Sequence, residues 1–421
     1  MERFVVGPSG PLHGQVEVYG AKNSVLKLMA ATLLAPGHHR LENVPGITDV
    51  GIVCDLLAAM GVEAAHAGRG TAGSLNISVP GEVTPVAPYE LVEKIRASIV
   101  VLGPLLARYG SARISLPGGD DFGQRPIDMH LRAFEELGAR FTTEHGYVEG
   151  RCDRLVGTRI VLEFPSHTAT DNIMMAATLA KGTTVIENAA REPEVIDLAA
   201  MLTSMGARIE GAGTSHIEIE GVDALGPGEH RAIPDRVEAA TWLAAVGLAG
   251  GEVELLGART EHMEMLLEKL ALIGVHAVDT GSGILATSTG RLRSVDISTL
   301  PYPGVATDYK PFLVAMLAVA TGVAIVSENI FAGRFRYVDE LRRMGADITT
   351  KGHHAVVRGV PRLSGAQVRS TDIRAGAALV LAGMVADGTT EVSGAEHVDR
   401  GYEDLAGRLA ALGADVRRES E

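Results

Sequence analysis

The sequence is poor in the residues by which many specialised proteins are recognised. Its 421 residues hold two cysteines, Cys54 and Cys152, with no CxxC pair and no histidine cluster at ligand spacing. Neither a disulfide framework nor a thiolate metal centre is expected, and both cysteines read as buried thiols of a reducing compartment. Aromatic residues make up 4% of the chain and Trp242 is the lone tryptophan, which argues against base-stacking platforms. Cations are outnumbered, with 38 Lys and Arg against 52 Asp and Glu and a net charge of −14. Such a chain lacks the basic surface of a phosphate-backbone binder, so no nucleic-acid partner is expected. No apolar run reaches the ~18 residues of a membrane span, and MERFVVGPSG has no basic-then-apolar leader. A cytoplasmic protein with no membrane association is the expectation. Apolar residues at 46% and charged residues at 21% give a globular composition. At roughly 100–200 residues per domain, the length suggests two or three domains.

What is present is a repeat. Small apolar runs ending in glycine recur at ATLLAPG (31–37), PLLARYG (104–110), ATLAKG (177–182), VGLAGG (246–251), LAVATG (317–322) and GMVADG (383–388). An apolar residue followed by glycine recurs at Met60-Gly61, Leu137-Gly138, Met205-Gly206, Ile273-Gly274, Met344-Gly345 and Leu412-Gly413, about 70 residues apart. A glycine that ends a helix and turns the chain into a strand favours positive φ. The runs ARISLP, GTTVIEN, GEVELLG and GTTEVSG read as strands. Each repeat is therefore predicted to be a βαβαββ module. One module cannot bury both its helices and its sheet alone, so the six are expected to pack as two domains of three.

The openings of the modules carry the polar residues: GAKNS (20–24), KIRAS (94–98), TATDN (168–172), PDRVE (234–238), ATDYK (306–310) and DIRAG (372–376). Helix N-termini present unpaired N–H groups and partial positive charge, which suits anions. Lys22, Arg96 and Arg374 add full charges there, and an acidic protein that binds an anion must gather cations locally in this way. A further stretch, LPGGDDFGQRP (116–126), sets Asp120, Asp121 and Arg125 on a glycine-rich loop.

GAKNS, RASIVVLGPL, LPGGDDFGQRPIDMH, ENAAREPEVID, TDIRAGAALVLAG and HVDRGYE, in this order and spacing, resemble the UDP-N-acetylglucosamine 1-carboxyvinyltransferases, a family of enolpyruvyl transferases. The match runs along essentially the whole chain. The resemblance implies an inside-out α/β barrel of two domains, residues 22–233 and residues 1–21 with 234–421, with ligands in the cleft between. It implies transfer of the enolpyruvyl group of phosphoenolpyruvate to the 3′-hydroxyl of UDP-N-acetylglucosamine, the first committed step of peptidoglycan synthesis. Phosphate leaves through a tetrahedral intermediate, and neither a metal nor an organic cofactor is required.

By the same resemblance, Lys22, Arg125 and Arg400 hold the phosphate and carboxylate of phosphoenolpyruvate. Arg96 lies close to the same anion, and Arg334 and Arg374 occupy supporting or carboxylate-binding positions. Arginine suits both groups because its planar fork binds them bidentately. Addition needs a proton at C3 of phosphoenolpyruvate while the sugar hydroxyl loses one, so an acid and a base are required. Asp308, in PGVATDYKP, matches the family aspartate beside the sugar 3′-hydroxyl, and as the residue before a helix it also reads as an N-cap. Asp120 stands where many members carry a cysteine active in proton transfer, and with Lys22, Asp308 and Arg400 it completes the expected catalytic set. The UDP-sugar is expected on Asn23, Arg96, Arg125, Pro126, Ile127, Asp128, Met129, Ser166, His167, Asp308 and the backbone near Ile330.

The sequence departs from the family at His167-Thr168, where Val-Gly is usual, at Val305-Ala306 in place of Phe-Pro, and at Lys310 in place of Gln. His167 beside a phosphate site can donate a hydrogen bond. These positions leave open a nucleotide acceptor other than UDP-N-acetylglucosamine, as in nucleoside-antibiotic pathways. A non-catalytic ligand-binding relative is a third reading, opposed by the presence of Lys22, Asp120, Arg125, Asp308 and Arg400 together. Fosfomycin inactivates cysteine members by alkylating the thiol, and a carboxylate is a far poorer nucleophile. Incubation with fosfomycin followed by an activity assay is expected to show no time-dependent loss; inactivation traced to Asp120 would contradict this.

Overall fold

The structure, a computed structural model, describes residues 2–115, 127–289, 291–331 and 333–420. The chain forms two compact units, one of residues 20–115 with 127–233, the other of residues 2–19 with 234–420. Each unit holds three four-stranded sheets, and the second adds a two-stranded ribbon.

All six sheets share one topology. In the sheet of Val86–Ala87, Ser111–Ser115, Tyr147–Arg151 and Arg140–Glu144, in that spatial order, the first pair is parallel and the others antiparallel. In three sheets a strand distant in sequence completes the pattern. Glu229–Arg231 lies parallel to Gly37–Glu42, and Leu12–Glu17 lies parallel to Gly251–Leu256. Glu2–Val6 runs antiparallel between Thr390–Ser393 and Val416–Ser420. The first unit is thus closed by its last strand and the second by the N-terminal strands.

The expected positive φ is found at every repeat glycine: Gly61, Gly138, Gly206, Gly274, Gly345 and Gly413 lie between 88° and 114°. Each lets the chain reverse from an outer helix into an edge strand.

Inside each unit one helix of each module is interior and the sheets lie outside these helices, the inside-out arrangement expected. In the second unit Arg236–Ala249, Lys310–Ala318 and Ile373–Gly383 pack on one another, and every residue of the last two is buried. Their sequences are small and apolar on all sides, as a helix surrounded by protein must be. Outer helices keep one apolar stripe: Glu264–Ile273 buries only Leu266, Leu270 and Ile273. The module openings fall at or beside inner-helix starts, with one shift. The third inner helix, His167–Ala177, begins before TATDN and is capped by Ser166, whose Oγ accepts from Ala169 N. The fold therefore places polar side chains at the ends of otherwise apolar helices.

Cys54 and Cys152 are half-buried and not fully buried as expected, because each stands on an outer layer of the first unit. Burial still pushes the Cys54 thiol up to about 11, where it is unreactive.

Two glycines in one helix-turn unit are expected to respond with opposite sign. Gly51 lies exposed inside the helix Thr48–Ala59 with open space around its Cα, and Gly51→Ala should stabilise by about 0.5–1 kcal/mol. Gly61 has equal space but φ of +90°, so Gly61→Ala should destabilise by about 1–2 kcal/mol. Denaturant unfolding of the two variants measures both.

Candidate active site

In the first unit, Lys22 opens the helix Lys22–Ala31 directly after the extended Ala21, whose N–H donates to Ile233 O at 2.7 Å. Its ammonium lies 2.8 Å from Asp49 Oδ2, and Asp49 is fully buried in the first turn of Thr48–Ala59. Asp49 escaped the sequence reading because an acid at a helix start passes for a cap. Asn23 follows, half-buried. The next residue, Ser24, donates to Asp197, which also meets His230 Nε2 at 2.7 Å and Ile233 N at 3.3 Å. This carboxylate ties the start of the Lys22 helix to the segment that leaves the unit.

Arg96 begins the 3-10 turn Arg96–Val101. Burial, with the charge of Arg96, lowers the imidazole of His130 to about 4. Asn172 holds that ring through its Nδ2, 3.0 Å from His130 Nδ1, while bonding to Ile99 O and Gly103 N. Asp128 opens the helix Asp128–Glu136 and lies 3.8 Å from Arg132, and Ile127 and Met129 pack partly buried against the core. Asp120, Arg125 and Pro126 lie outside the described residues.

His167 points to a buried ion pair that the sequence reading missed. Its Nε2 lies 2.7 Å from Lys27 Nζ and 3.3 Å from Asp171 Oδ2, and Lys27 lies 2.9 Å from the same oxygen. Burial raises the Asp171 carboxyl to about 7 in spite of Lys27. Nδ1 also lies 3.3 Å from Lys27 Nζ, so the ring meets the ammonium through both nitrogens. Lys27 and Asp171 were unreadable because each sits within an apolar helix, where only tertiary packing shows the partner.

In the second unit Asp308 is part-exposed and gripped by two buried guanidiniums. Arg334 Nη1 lies 2.7 Å from Oδ1 and Arg374 Nε 3.6 Å from Oδ2. The N-cap expected of Asp308 is not made: Tyr309 takes the cap position of Lys310–Ala318 without a side-chain cap, and the carboxylate turns to the arginines, the stronger donors. Arg374 is the second residue of the helix Ile373–Gly383, whose cap Asp372 accepts from Arg374 N and Ala375 N at 3.0 Å. Its guanidinium lies 5.1 Å from the centre of the Tyr402 ring, and the Tyr402 hydroxyl is 2.7 Å from Thr241 Oγ1. Ile330 presents its N–H to Glu328 Oε1 at 2.8 Å. Arg400 closes the short helix Ala395–Asp399, half-buried. The second unit thus brings Asp308, Arg334 and Arg374 into contact, and the first brings Lys22 to Asp49 and His167 to Lys27. A fixed carboxylate among fixed cations is suited to accepting a hydroxyl proton beside an anionic substrate.

A family model described as EPSP synthase (3-phosphoshikimate 1-carboxyvinyltransferase) matches residues 6–409. The UDP-N-acetylglucosamine 1-carboxyvinyltransferase of Myxococcus xanthus is 49% identical and is covered, as is this chain, over its full length. The chain belongs to this family of carboxyvinyltransferases. The family member from Nocardia farcinica is also 49% identical, with 99% of this chain and 98% of that protein covered. Among solved structures, the enolpyruvyl transferase NikO from Streptomyces tendae matches with a TM-score of 0.89 at 27% identity, over 100% of this chain and 99% of that one. EPSP synthase from Acinetobacter baumannii, at 18% identity and a TM-score of 0.75 with both chains fully covered, shares the fold. No helix among the described residues is long and apolar enough to cross a membrane.

His130 makes folding sensitive to acid. Its folded pKa lies below the ordinary 6.5, so the unfolded chain takes up a proton first. The stability it contributes is present above pH 6.5 and is lost as pH falls to about 4. His130→Asn keeps an acceptor for Asn172 without titrating. Over that window the unaltered chain should lose about 3 kcal/mol more than the variant in denaturant titrations; parallel losses would contradict the assignment.

Proposed function

We infer that the chain transfers the enolpyruvyl group of phosphoenolpyruvate to the 3′-hydroxyl of UDP-N-acetylglucosamine with release of phosphate, in the cytoplasm, as the first committed step of peptidoglycan synthesis. The observation that carries the mechanism is Asp308 held between Arg334 and Arg374, in a chain 49% identical over its full length to proteins named for this reaction.

In this reading Asp308 takes the proton of the sugar hydroxyl as oxygen bonds to C2 of phosphoenolpyruvate. Asp120 delivers a proton to C3, giving a tetrahedral adduct. Loss of a C3 proton and departure of phosphate then restore the double bond. Lys22, Arg96, Arg125 and Arg400 hold the phosphate, and Arg334 and Arg374 stand ready for the substrate carboxylate. Asp49 directs the Lys22 ammonium. Asn23, the Arg125–Met129 segment, Ser166, His167 and the Ile330 backbone hold the UDP-sugar. A second reading, transfer to a different nucleotide, is favoured by His167 and by Val305-Ala306.

Phosphate release from phosphoenolpyruvate with UDP-N-acetylglucosamine, UMP or shikimate 3-phosphate tests the choice. Release with the UDP-sugar alone is expected; release only with another acceptor would replace the reading. Asp308→Ala should abolish turnover while UDP-sugar affinity stays within about tenfold, or ~1.4 kcal/mol. Turnover at the unaltered rate would remove Asp308 from the mechanism.

A further inference from the structure

Lys310 and Glu328 form an ion pair with both side chains wholly buried, Nζ to Oε2 at 2.6 Å. Burying two charges carries a desolvation penalty that attraction alone seldom outweighs, so the pair invites the question of what it holds in place. Lys310 Nζ also donates to the carbonyl of Arg334 at 2.6 Å and lies 4.0 Å from the centre of the Phe335 ring. The two oxygens of Glu328 serve different partners. Oε1 accepts from the Thr299 hydroxyl at 2.8 Å, Ile330 N at 2.8 Å and Phe331 N at 3.0 Å. Oε2 accepts from Lys310 and from the Thr307 hydroxyl at 2.8 Å. Thr307 Oγ1 in turn accepts from Arg334 Nη1 at 3.0 Å, the nitrogen that grips Asp308.

We propose that Lys310 is a positioning residue for enolpyruvyl transfer: as the counter-charge to Glu328 it fixes the Thr307 hydroxyl and the Arg334 guanidinium, and through them the direction of the Asp308 carboxylate. This rests on the reading of Asp308 as the proton acceptor. A threonine hydroxyl has one proton, and while that proton points at an ionised Glu328 its lone pairs face Arg334. A protonated Glu328 would present a donor, turn the hydroxyl and take an acceptor from Arg334. The charged and titratable groups around Glu328 are Lys310, Arg334, Asp308, Asp372 and Tyr337, and Lys310 is the cation in direct contact. With it in place the Glu328 carboxyl lies below the usual range despite its burial. The division of labour separates two kinetic quantities: the Oε2 side leads to Asp308, and the Oε1 side to the backbone of Ile330 and Phe331.

The test measures kcat against pH and UDP-N-acetylglucosamine affinity by calorimetry for the full chain, Lys310→Met and Lys310→Gln. Both variants should show kcat reduced about tenfold at neutral pH. Their acid limb should move to higher pH, so that the loss shrinks as pH rises, while affinity stays within about twofold. Lys310→Gln keeps N–H donors and similar volume, and decides the matter if Lys310→Met does not fold. An unmoved acid limb in folded variant overturns the proposal, as does an equal loss at every pH with weakened UDP-sugar binding. Turnover by the unaltered chain is measured first: its absence overturns the functional reading and this proposal together, whereas turnover with an unmoved Lys310→Gln profile overturns the proposal alone.

Discussion

A buried cation in this protein is held by a carboxylate, and the candidate site is organised by that constraint. A guanidinium or ammonium taken out of water needs compensating charge and hydrogen bonds. Asp308 supplies them to Arg334 and Arg374, Glu328 to Lys310, Asp171 to Lys27, and Asp49 to Lys22. A chain of net charge −14 can therefore keep positive groups ready for an anionic substrate without dispersing them over its surface. Asp308 thereby compensates two arginines at once.

The module architecture determines where these groups can stand. An inner helix such as Ile373–Gly383 is buried along its whole length, so a charged side chain stands either at its end, where backbone N–H groups also need partners, or, as Lys27 and Asp171 do, within the helix and paired with one on another helix. Asp372 and Asp235 satisfy those N–H groups directly. Lys22, Arg96, Lys310 and Arg374 occupy the same terminal positions in their own modules. Six repeats of one topology thus yield six polar helix starts, which the two units use for different purposes.

The parts of this fold legible in the sequence are those with a local physical cause. The six repeat glycines could be read because positive φ is unfavourable for a residue with a side chain and costs glycine little, and the inner helices because small and apolar residues fill most of their positions. The closing strands were not legible in the same way: Glu229–Arg231 is three residues long, and its pairing with Gly37–Glu42 is set by tertiary structure. At the site, Lys22, Asp308, Arg334 and Arg374 were found through motif resemblance, while their partners Asp49 and Glu328 were not. An aspartate at a helix start and a glutamate after a strand look like ordinary surface acids until the chain is folded. The cap expected of Asp308 failed for a related reason, since two arginines distant in sequence, Arg334 of the same module and Arg374 of the next, outcompete the local backbone.

In the proposed reaction a hydroxyl adds to C2 of phosphoenolpyruvate and phosphate leaves by cleavage of its bond to carbon. Phosphoenolpyruvate labelled with heavy oxygen in the carbon–oxygen–phosphorus bridge tests this directly, by mass spectrometry of the products formed with UDP-N-acetylglucosamine. The label is expected in the released phosphate and not in the enolpyruvyl product. Label retained on the three-carbon fragment would mean cleavage between oxygen and phosphorus, and would contradict the proposed reaction.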